Sequence, residues 1–276
     1  MSTKTDNGRI RDERRFKTVY KPKPDVMWGL PENHPAMLEK RPLFQNRISR
    51  ARDTESNLLV SGGNNRKIGN TVSKGAWCGF PIYTLTLAER TTCPAHCPIM
   101  RECYGNGMQW PRRLLPGSDL TNGIKIELYR LDKKHPGGFV VRLHVLGDFY
   151  SPEYVAFWHN MLLDYPALHI YGYTAHRLDA PDSHNSLIGY AIADLKAEFP
   201  ERFAIRWSHT VPGPDRAVVI NYVPSENTVA EGLVCPAETT KAGSCASCGL
   251  CWEGNFRHKS IVFIKHGPYG RRRKSA

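Results

Sequence analysis

The chain has 276 residues, a net charge of +12 and eight cysteines. A chain of this length can bury a large core, and no apolar run reaches the roughly 18 residues that a membrane helix needs. The amino terminus lacks the apolar core of a signal peptide, so a cytoplasmic protein is expected rather than a membrane or secreted one. In a reducing compartment, clustered cysteines favour metal or redox chemistry over disulfides. The positive charge predicts a polyanionic partner such as nucleic acid, DNA above all.

Residues 1–57 are predicted to form a basic, proline-rich arm. Basic residues recur up to Lys23, and prolines from Pro22 to Pro42 interrupt any helical period. Residues 1–23 fit a solubilising tail equally well. Residues 27–30 and 43–44 are apolar enough to dock on the body of the protein.

A strand-like run at residues 58–60 leads into a loop, residues 62–70, that is rich in Gly and Asn. Such a loop can turn several backbone N–H groups toward a phosphate. It lacks the Gly-Lys-Ser/Thr ending of a phosphate-binding P-loop, so an ordinary hairpin turn is favoured.

The apolar run at residues 85–88 opens into a loop that carries Cys93, Cys97 and Cys103. Thiols spaced this closely after a strand can converge on one metal or cluster. Three ligands leave one coordination position open for a substrate or cofactor. The alternative is three free, half-buried thiols.

Strands and helices then alternate along the chain, which predicts a parallel sheet or a partial βα barrel. The strands end in polar residues. The predicted strands are residues 139–146, 168–174, 203–210, 217–223 and 260–265. The predicted helices are residues 124–133, a helix capped by Ser151 with Pro152 in its first turn, and residues 187–199.

Side chains at the carboxyl ends of parallel strands line the sites of α/β proteins, so these strand ends supply the candidates for chemistry. The catalytic candidates are His144, Asp148, Tyr173, Arg177, Arg206 and Ser208, and Thr174 is a candidate for cofactor binding. A capping role alone would also explain Asp148, because an acid before a helix needs no other reason.

The carboxyl-terminal part, residues 233–276, carries a second group of cysteines and a basic end. Cys235, Cys245, Cys248 and Cys251 are four thiols with the spacing of a zinc or iron–sulfur site. They predict a closed structural site, with residues 58–232 forming the βα body. In the alternative division of ligands, Cys235 binds the same metal as Cys93, Cys97 and Cys103, and the terminal group keeps three thiols.

Two resemblances follow from these segments. The Gly/Asn loop, the first cysteine loop, the Gly147-Asp148-Phe149 strand end and the terminal cysteines resemble a phage-encoded family of unassigned function over residues 58–267, so the compartment would be the host cytoplasm. More distantly, the order of parts is similar to radical S-adenosylmethionine enzymes. That resemblance implies a partial barrel of about six βα units and an auxiliary cluster at the end. It also implies a [4Fe–4S] cluster on Cys93, Cys97 and Cys103, with Gly147 and Asp148 near the methionine amine of S-adenosylmethionine.

A third comparison is to enzymes of the tRNA-guanine transglycosylase type, which share a barrel, a zinc site near the end and an aspartate at a strand end.

The leading hypothesis is an iron–sulfur enzyme that modifies a nucleic-acid base or a nucleotide. The alternatives are a zinc-stabilised base-exchange transferase with Asp148 as nucleophile or base, and a non-enzymatic, metal-stapled nucleic-acid-binding protein.

Overall fold

The computed structural model describes residues 30, 32–40, 43–101, 103–178, 183–222, 224, 226, 228–239 and 243–265, without the side chains of 183–185. Most of the predicted arm, the proposed anchor at 27–29 and the basic end at 271–274 lie outside the described residues. Of the predicted anchors, Leu30 is buried, and the Phe44 ring centroid lies 5.1 Å from the Arg113 guanidinium carbon.

Eleven strands and six α-helices are present among the described residues. The strands are β1 Ile48–Ser49, β2 Val60–Ser61, β3 Ile82–Thr84, β4 Arg113–Leu114, β5 Phe139–Leu143, β6 Leu168–Thr174, β7 Phe203–Ser208, β8 Arg216–Ile220, β9 Thr228–Val229, β10 Gly232–Val234 and β11 Ile261–Ile264. The α-helices are α1 Pro35–Leu38, α2 Glu89–Thr92, α3 Ser118–Lys134, α4 Pro152–Asp164, α5 Ser183–Glu198 and α6 Cys245–Cys248. Short 3₁₀ helices are Gln45–Arg47, Ala51–Asp53, Gly62–Asn64, Tyr104–Gly107 and Gly254–Phe256.

Nine strands form one large sheet in the order β2-β3-β5-β6-β7-β8-β11-β10-β9. Only the two edge strands run antiparallel to their neighbours, β2 against β3 and β9 against β10. The predicted mixed α/β fold with a mostly parallel sheet is therefore confirmed. The sheet is open, with β2 and β9 at its edges, and it does not close into a barrel in the described residues.

The regular alternation of strand and helix ends at β7, earlier than the six βα units that the resemblance implied. Only α3, α4 and α5 are long helices in the described residues. The connection from β7 to β8 contains Pro212, Gly213 and Pro214, which exclude a helix. Strand β8 consequently starts beside the end of β7, with Trp207 paired to Arg216.

The main core lies between the sheet and the long helices. Helix α4 begins as predicted, because the Ser151 side chain accepts a hydrogen bond from the Tyr154 N–H and Pro152 occupies the first turn. Trp158 is fully buried within that core. Helix α3 begins at Ser118, six residues before the predicted start. Leu120 extends its buried face by one turn, but it is the one apolar residue of residues 118–122, so this polar stretch was predicted as a connection. No helix among the described residues is long and apolar enough to cross a membrane.

Part of the segment predicted as an arm is packed on the body. Strand β1 pairs in parallel with β4, in the register Ile48 to Arg113 and Ser49 to Leu114. Composition alone places a boundary near residue 57, because proline and arginine content does not reveal a pairing of two residues with a distant strand.

Removing the indole of Trp158 should leave a large void in the main core. We expect Trp158→Ala to lower the free energy of unfolding by about 3–5 kcal/mol. Leu163→Ala in the same helix is the matched control, because Leu163 is 55 % exposed. Urea unfolding followed by circular dichroism measures both, and equal losses in the two variants would contradict this packing.

Candidate active site

A cavity of about 740 Å³ lies at the carboxyl ends of β5, β6 and β7. It brings together eight of the residues that the sequence singled out. These are Cys93, Cys97, Cys103, His144, Gly147, Asp148, Tyr173 and Ser208. Parallel strands deliver their carboxyl ends to one edge of the sheet, which is why residues far apart in the chain meet at this cavity.

The first cysteine loop is held at both ends by buried charge. Helix α2 begins with Glu89, whose carboxylate lies 2.8 Å from Arg113 Nε, and both side chains are buried. Arg113 also donates to the carbonyls of Gly105 and Met108, on the returning side of the loop. The chain therefore enters and leaves the cysteine loop at one fixed point.

Arg90 is a buried cation close to the three thiols. Its guanidinium donates to Asn106 Oδ1 at 2.6 Å and to the Met100 carbonyl at 3.3 Å. Burial lowers the pKa of Arg90, whereas Cys103, Glu89, Cys93 and Cys97 nearby raise it. A positive charge fixed beside three thiols would stabilise them as thiolates.

Burial keeps the three thiols protonated when no metal or cluster is bound to them. Burial raises the pKa of Cys97 to about 12, and burial also raises the pKa of Cys93 and of Cys103. Metal ligation requires the thiolate, so a bound group would have to displace these protons. Among the described residues, no group of three or more His, Cys, Asp or Glu side chains is arranged to hold a single metal ion.

Asp148 joins three segments through its carboxylate. Oδ1 accepts hydrogen bonds from the Thr174 hydroxyl and the Phe149 N–H, both at 2.8 Å, and Oδ2 accepts one from the Ala175 N–H at 2.7 Å. Its own N–H donates to the Thr92 hydroxyl at the end of α2. Asp148 thus ties the cysteine loop to the end of β6 while lining the cavity.

Gly147 is required by packing at this junction. Its φ of +88° is unfavourable for other residues, and a Cβ atom would lie 2.6 Å from Leu87 Cβ and 2.7 Å from Thr92 Oγ1. The resemblance to radical S-adenosylmethionine enzymes gave Gly147 a contact with cofactor. The structure supplies a steric reason for the glycine in any case.

His144 and Tyr173 form another part of the wall. His144 Nε2 lies 3.1 Å from the Tyr154 hydroxyl, and burial lowers the pKa of His144 to about 3. The imidazole is therefore neutral at physiological pH. The Tyr173 hydroxyl donates to Cys251 Sγ at 2.8 Å, so this side chain touches the terminal cysteine group as well as the cavity.

Three candidates do not line the cavity: Thr174, Arg177 and Arg206. Thr174 is buried and holds Asp148. Arg206 is fully buried, and its guanidinium donates to four backbone carbonyls, those of Leu250, Cys251, Phe256 and Lys259. Through these contacts Arg206 holds the terminal cysteine segment in place. The position of Arg206 near a strand end did not indicate this structural role.

The four terminal cysteines meet around a separate cavity of about 10 Å³, lined by Cys235, Cys245, Cys248 and Cys251. Helix α6 is capped by Ser244, which accepts a hydrogen bond from the Ser247 N–H, and it ends at Gly249 with φ of +79°. Cys235 thus lies with the terminal thiols and not with the first loop. The predicted division of the cysteines between two metal sites stays a prediction.

The Gly/Asn loop serves mainly to dock this terminal segment. The carbonyls of Lys67 and Ile68 accept hydrogen bonds from the N–H groups of Cys245 and Ala246 at 2.7 and 2.8 Å. Asn65 and Lys67 also line the large cavity, and Lys67 is paired with Glu238 at 2.5 Å. The favoured interpretation as an ordinary hairpin turn is too simple. Strands β2 and β3 are antiparallel neighbours, but the connection between them covers residues 62–81, and the Gly/Asn loop is only its first half.

Sequence reasoning missed Arg142, which lines the large cavity from the carboxyl end of β5. Its guanidinium carbon lies 5.9 Å from the centroid of the Tyr171 ring and 5.8 Å from that of Tyr173. An arginine inside the otherwise apolar run Phe139–Leu143 was the available signal, because a buried charge in a strand needs a special environment.

The comparisons with known proteins identify a family. The chain belongs to the family described as Gene product 88, whose profile matches residues 57–254. It is 24 % identical over 238 residues to the Gene 88 protein of Mycobacterium phage L5 and 26 % identical over 245 residues to that of Mycobacterium phage D29. Each alignment covers 78 % of this chain and 95 % of the relative. No solved structure matches the chain.

The expected resemblance to a phage-encoded family is therefore confirmed, and these names state no activity.

Loss of the Arg206 guanidinium should loosen the terminal cysteine segment. Arg206→Gln leaves several buried carbonyls without a donor, and each costs about 1–3 kcal/mol. We expect faster amide hydrogen exchange across residues 249–259. Arg216→Gln is the control, because the Arg216 side chain donates only to the exposed Val211 and Pro212 carbonyls among the described contacts. Unchanged exchange in Arg206→Gln would contradict the assigned role.

The buried neutral His144 predicts a stability that falls on acidification. Its pKa is lowered to about 3 in the folded state, so between the ordinary value of 6.5 and about 3 the unfolded chain binds more protons. The contribution of His144 to the free energy of unfolding is therefore fully present above pH 6.5. It falls by about 2 kcal/mol between pH 7 and pH 5. Urea unfolding at both pH values should show a smaller difference in His144→Gln. An identical pH dependence in both proteins would rule out this contribution.

Proposed function

We propose that this member of the Gene product 88 family is an iron–sulfur enzyme that modifies a nucleobase in nucleic acid or in a nucleotide. The observation that carries the proposal is the convergence of Cys93, Cys97 and Cys103 with polar strand-end residues on one cavity of about 740 Å³. A packing role alone does not explain why these groups share one enclosed space.

The donor set fits a cluster better than a single ion. A zinc ion requires its thiolates to converge on one point at about 2.3 Å, and no described group has that arrangement. A [4Fe–4S] cluster is a larger body whose thiolate ligands bind separate irons, so its ligands stand further apart. Cys93, Cys97 and Cys103 would hold it, and Arg90 beside them would offset its negative charge.

When bound, such a cluster supplies one-electron chemistry, as in the radical S-adenosylmethionine enzymes that the chain resembles. The residues of the chain enclose and orient the reactants. Ser208 offers a hydroxyl group to a substrate at the cavity wall, and His144 keeps a neutral ring there. The Tyr173 hydroxyl donates to Cys251 Sγ and can only accept a hydrogen bond from a substrate. Asp148 fixes the cysteine loop against β6 through its three accepted hydrogen bonds.

The size of the site suits a nucleotide unit as substrate. Ligand sites usually enclose about 300–1,000 Å³, and 740 Å³ falls within that range. The cavity is too small for a duplex, so a base in nucleic acid would have to leave its stack to enter. The net charge of +12 belongs to the whole chain and suits a polyanionic partner. The cavity lining itself carries both signs, with the cations Lys67, Arg142 and Lys265 and the acids Glu89, Asp148, Glu231 and Glu238.

A second candidate is a zinc-stabilised base-exchange transferase. It assigns zinc to the four terminal thiols, which line their own small cavity but, among the described residues, are not arranged to hold a single ion. In that proposal the metal maintains the fold, and Asp148 acts as nucleophile or base. The hydrogen bonds already accepted by both Asp148 oxygens favour the first proposal. A purely nucleic-acid-binding protein would leave the large cavity without a role.

Iron content tests the proposal. We expect the protein purified without oxygen to be brown and to contain iron and sulfide. Cys93→Ser, Cys97→Ser and Cys103→Ser should each lower the iron content and alter the electron paramagnetic resonance signal. Cys78→Ser is the matched control, because Cys78 is an exposed free thiol outside both groups. A colourless protein with stoichiometric zinc and no iron would refute the proposal in favour of the transferase.

A further inference from the structure

A basic aromatic surface lies beside the cavity. Trp110 is 57 % exposed, and the Arg47 guanidinium carbon lies 5.4 Å from the centroid of its ring. Arg50, at the other end of strand β1, is also exposed. Neither arginine forms an ion pair with a carboxylate in the part of the chain that the structure describes. Arg47, Arg50 and Trp110 together make up the Trp110 surface.

Tertiary structure, not local sequence, assembles the Trp110 surface. Arg47 immediately precedes β1, and the pairing of Ile48 with Arg113 brings it next to the segment that carries Trp110. The buried ion pair between Arg113 and Glu89 fixes that segment. The arginine is therefore held over the indole by the fold.

The Trp110 surface adjoins the cavity along the chain. Met108 lines the cavity, and it is separated from Trp110 by a single residue. The Cα atoms of Met108 and Trp110 are consequently no more than about 7 Å apart. With the length of the indole added, a molecule stacked on it would lie on the order of 10–15 Å from the cavity wall, or about two nucleotides along a strand.

We propose that the Trp110 surface binds an unpaired stretch of nucleic acid and presents a nearby nucleotide of the same strand to the cavity. The inference rests on the proposed function and specifies its substrate as single-stranded or locally unpaired nucleic acid. The exposed indole offers a flat face on which a base of any sequence can stack. Arg47 and Arg50 offer cations to the neighbouring phosphates.

Tyr129 is a natural control for this surface. It is 55 % exposed, and Lys133 Nζ lies 5.6 Å from its ring centroid, so it also combines an exposed ring with a cation. Both residues belong to helix α3, which contributes nothing to the lining of the cavity among the residues that the structure describes. If any exposed aromatic ring beside a cation bound nucleic acid, substitutions of Trp110 and Tyr129 would weaken binding equally. If the Trp110 surface is a specific binding site, only the substitution of Trp110 weakens binding.

The test measures binding of a fluorescein-labelled oligodeoxythymidylate of about 20 nucleotides to the full-length protein by fluorescence anisotropy, at several salt concentrations. We expect Trp110→Ala to weaken binding by about fivefold or more, with an unchanged salt dependence, because stacking involves no counterion. Arg47→Met should make the negative slope of log K against log salt less steep by about 0.7, the contribution of one phosphate contact on a single strand. Tyr129→Ala should change neither quantity.

Three outcomes would overturn the inference: no binding by the wild-type protein, equal affinity of Trp110→Ala and wild type, or equal losses in Trp110→Ala and Tyr129→Ala. Tighter binding of a duplex than of the single strand would also overturn it. The iron content of Trp110→Ala should equal that of the wild type. Failure at the Trp110 surface is thus distinguishable from failure of the proposed function, which depends on iron bound by the cysteine loop.

Discussion

The buried ion pair between Glu89 and Arg113 is the interaction on which the site depends. Glu89 begins the helix that leads into the first cysteine loop, and Arg113 lies in β4, where the chain returns from it. Removing one partner of such a pair leaves a buried charge and costs about 3–5 kcal/mol. The other donors of Arg113 bind carbonyls of the same returning segment, which includes the cavity wall at Met108. The same buried arginine therefore supports the cysteine loop, the cavity wall at Met108 and the segment that carries Trp110.

Strand β6 connects the two cysteine groups. Tyr171 and Tyr173 are two residues apart on one face of the strand, and they pack with the terminal cysteine segment and Trp252. Tyr173 also lines the large cavity. Arg142 lies near both rings. Burial raises the pKa of Cys245 and of Cys251, and the positive charge of Arg142 lowers it. The arginine in the cavity wall therefore acts on the terminal thiols.

The strand ends show how much of a candidate site a pattern can supply. Polar residues after apolar strands marked His144, Asp148, Tyr173 and Ser208, and all four line the cavity, because parallel strands end at one edge. The same pattern also marked Arg206. Its side chain reaches the terminal cysteine segment instead, through hydrogen bonds to backbone carbonyls that lie far along the chain. Polarity at a strand end does not reveal whether a side chain meets a cavity or a packed segment.

The sequence alone determined the mostly parallel α/β sheet, the two groups of cysteines and the start of α4, since each follows from local periodicity, spacing or capping. The tertiary structure decided the rest. It placed Cys235 with the terminal thiols, paired Glu89 with Arg113 and set Arg47 over Trp110, all contacts between residues far apart in the chain. It also ended the helical crossovers at β7, where a short connection with two prolines lets β8 start beside the end of its neighbour. Spacing along a chain limits what residues can reach, but the packing of the core selects which of them meet.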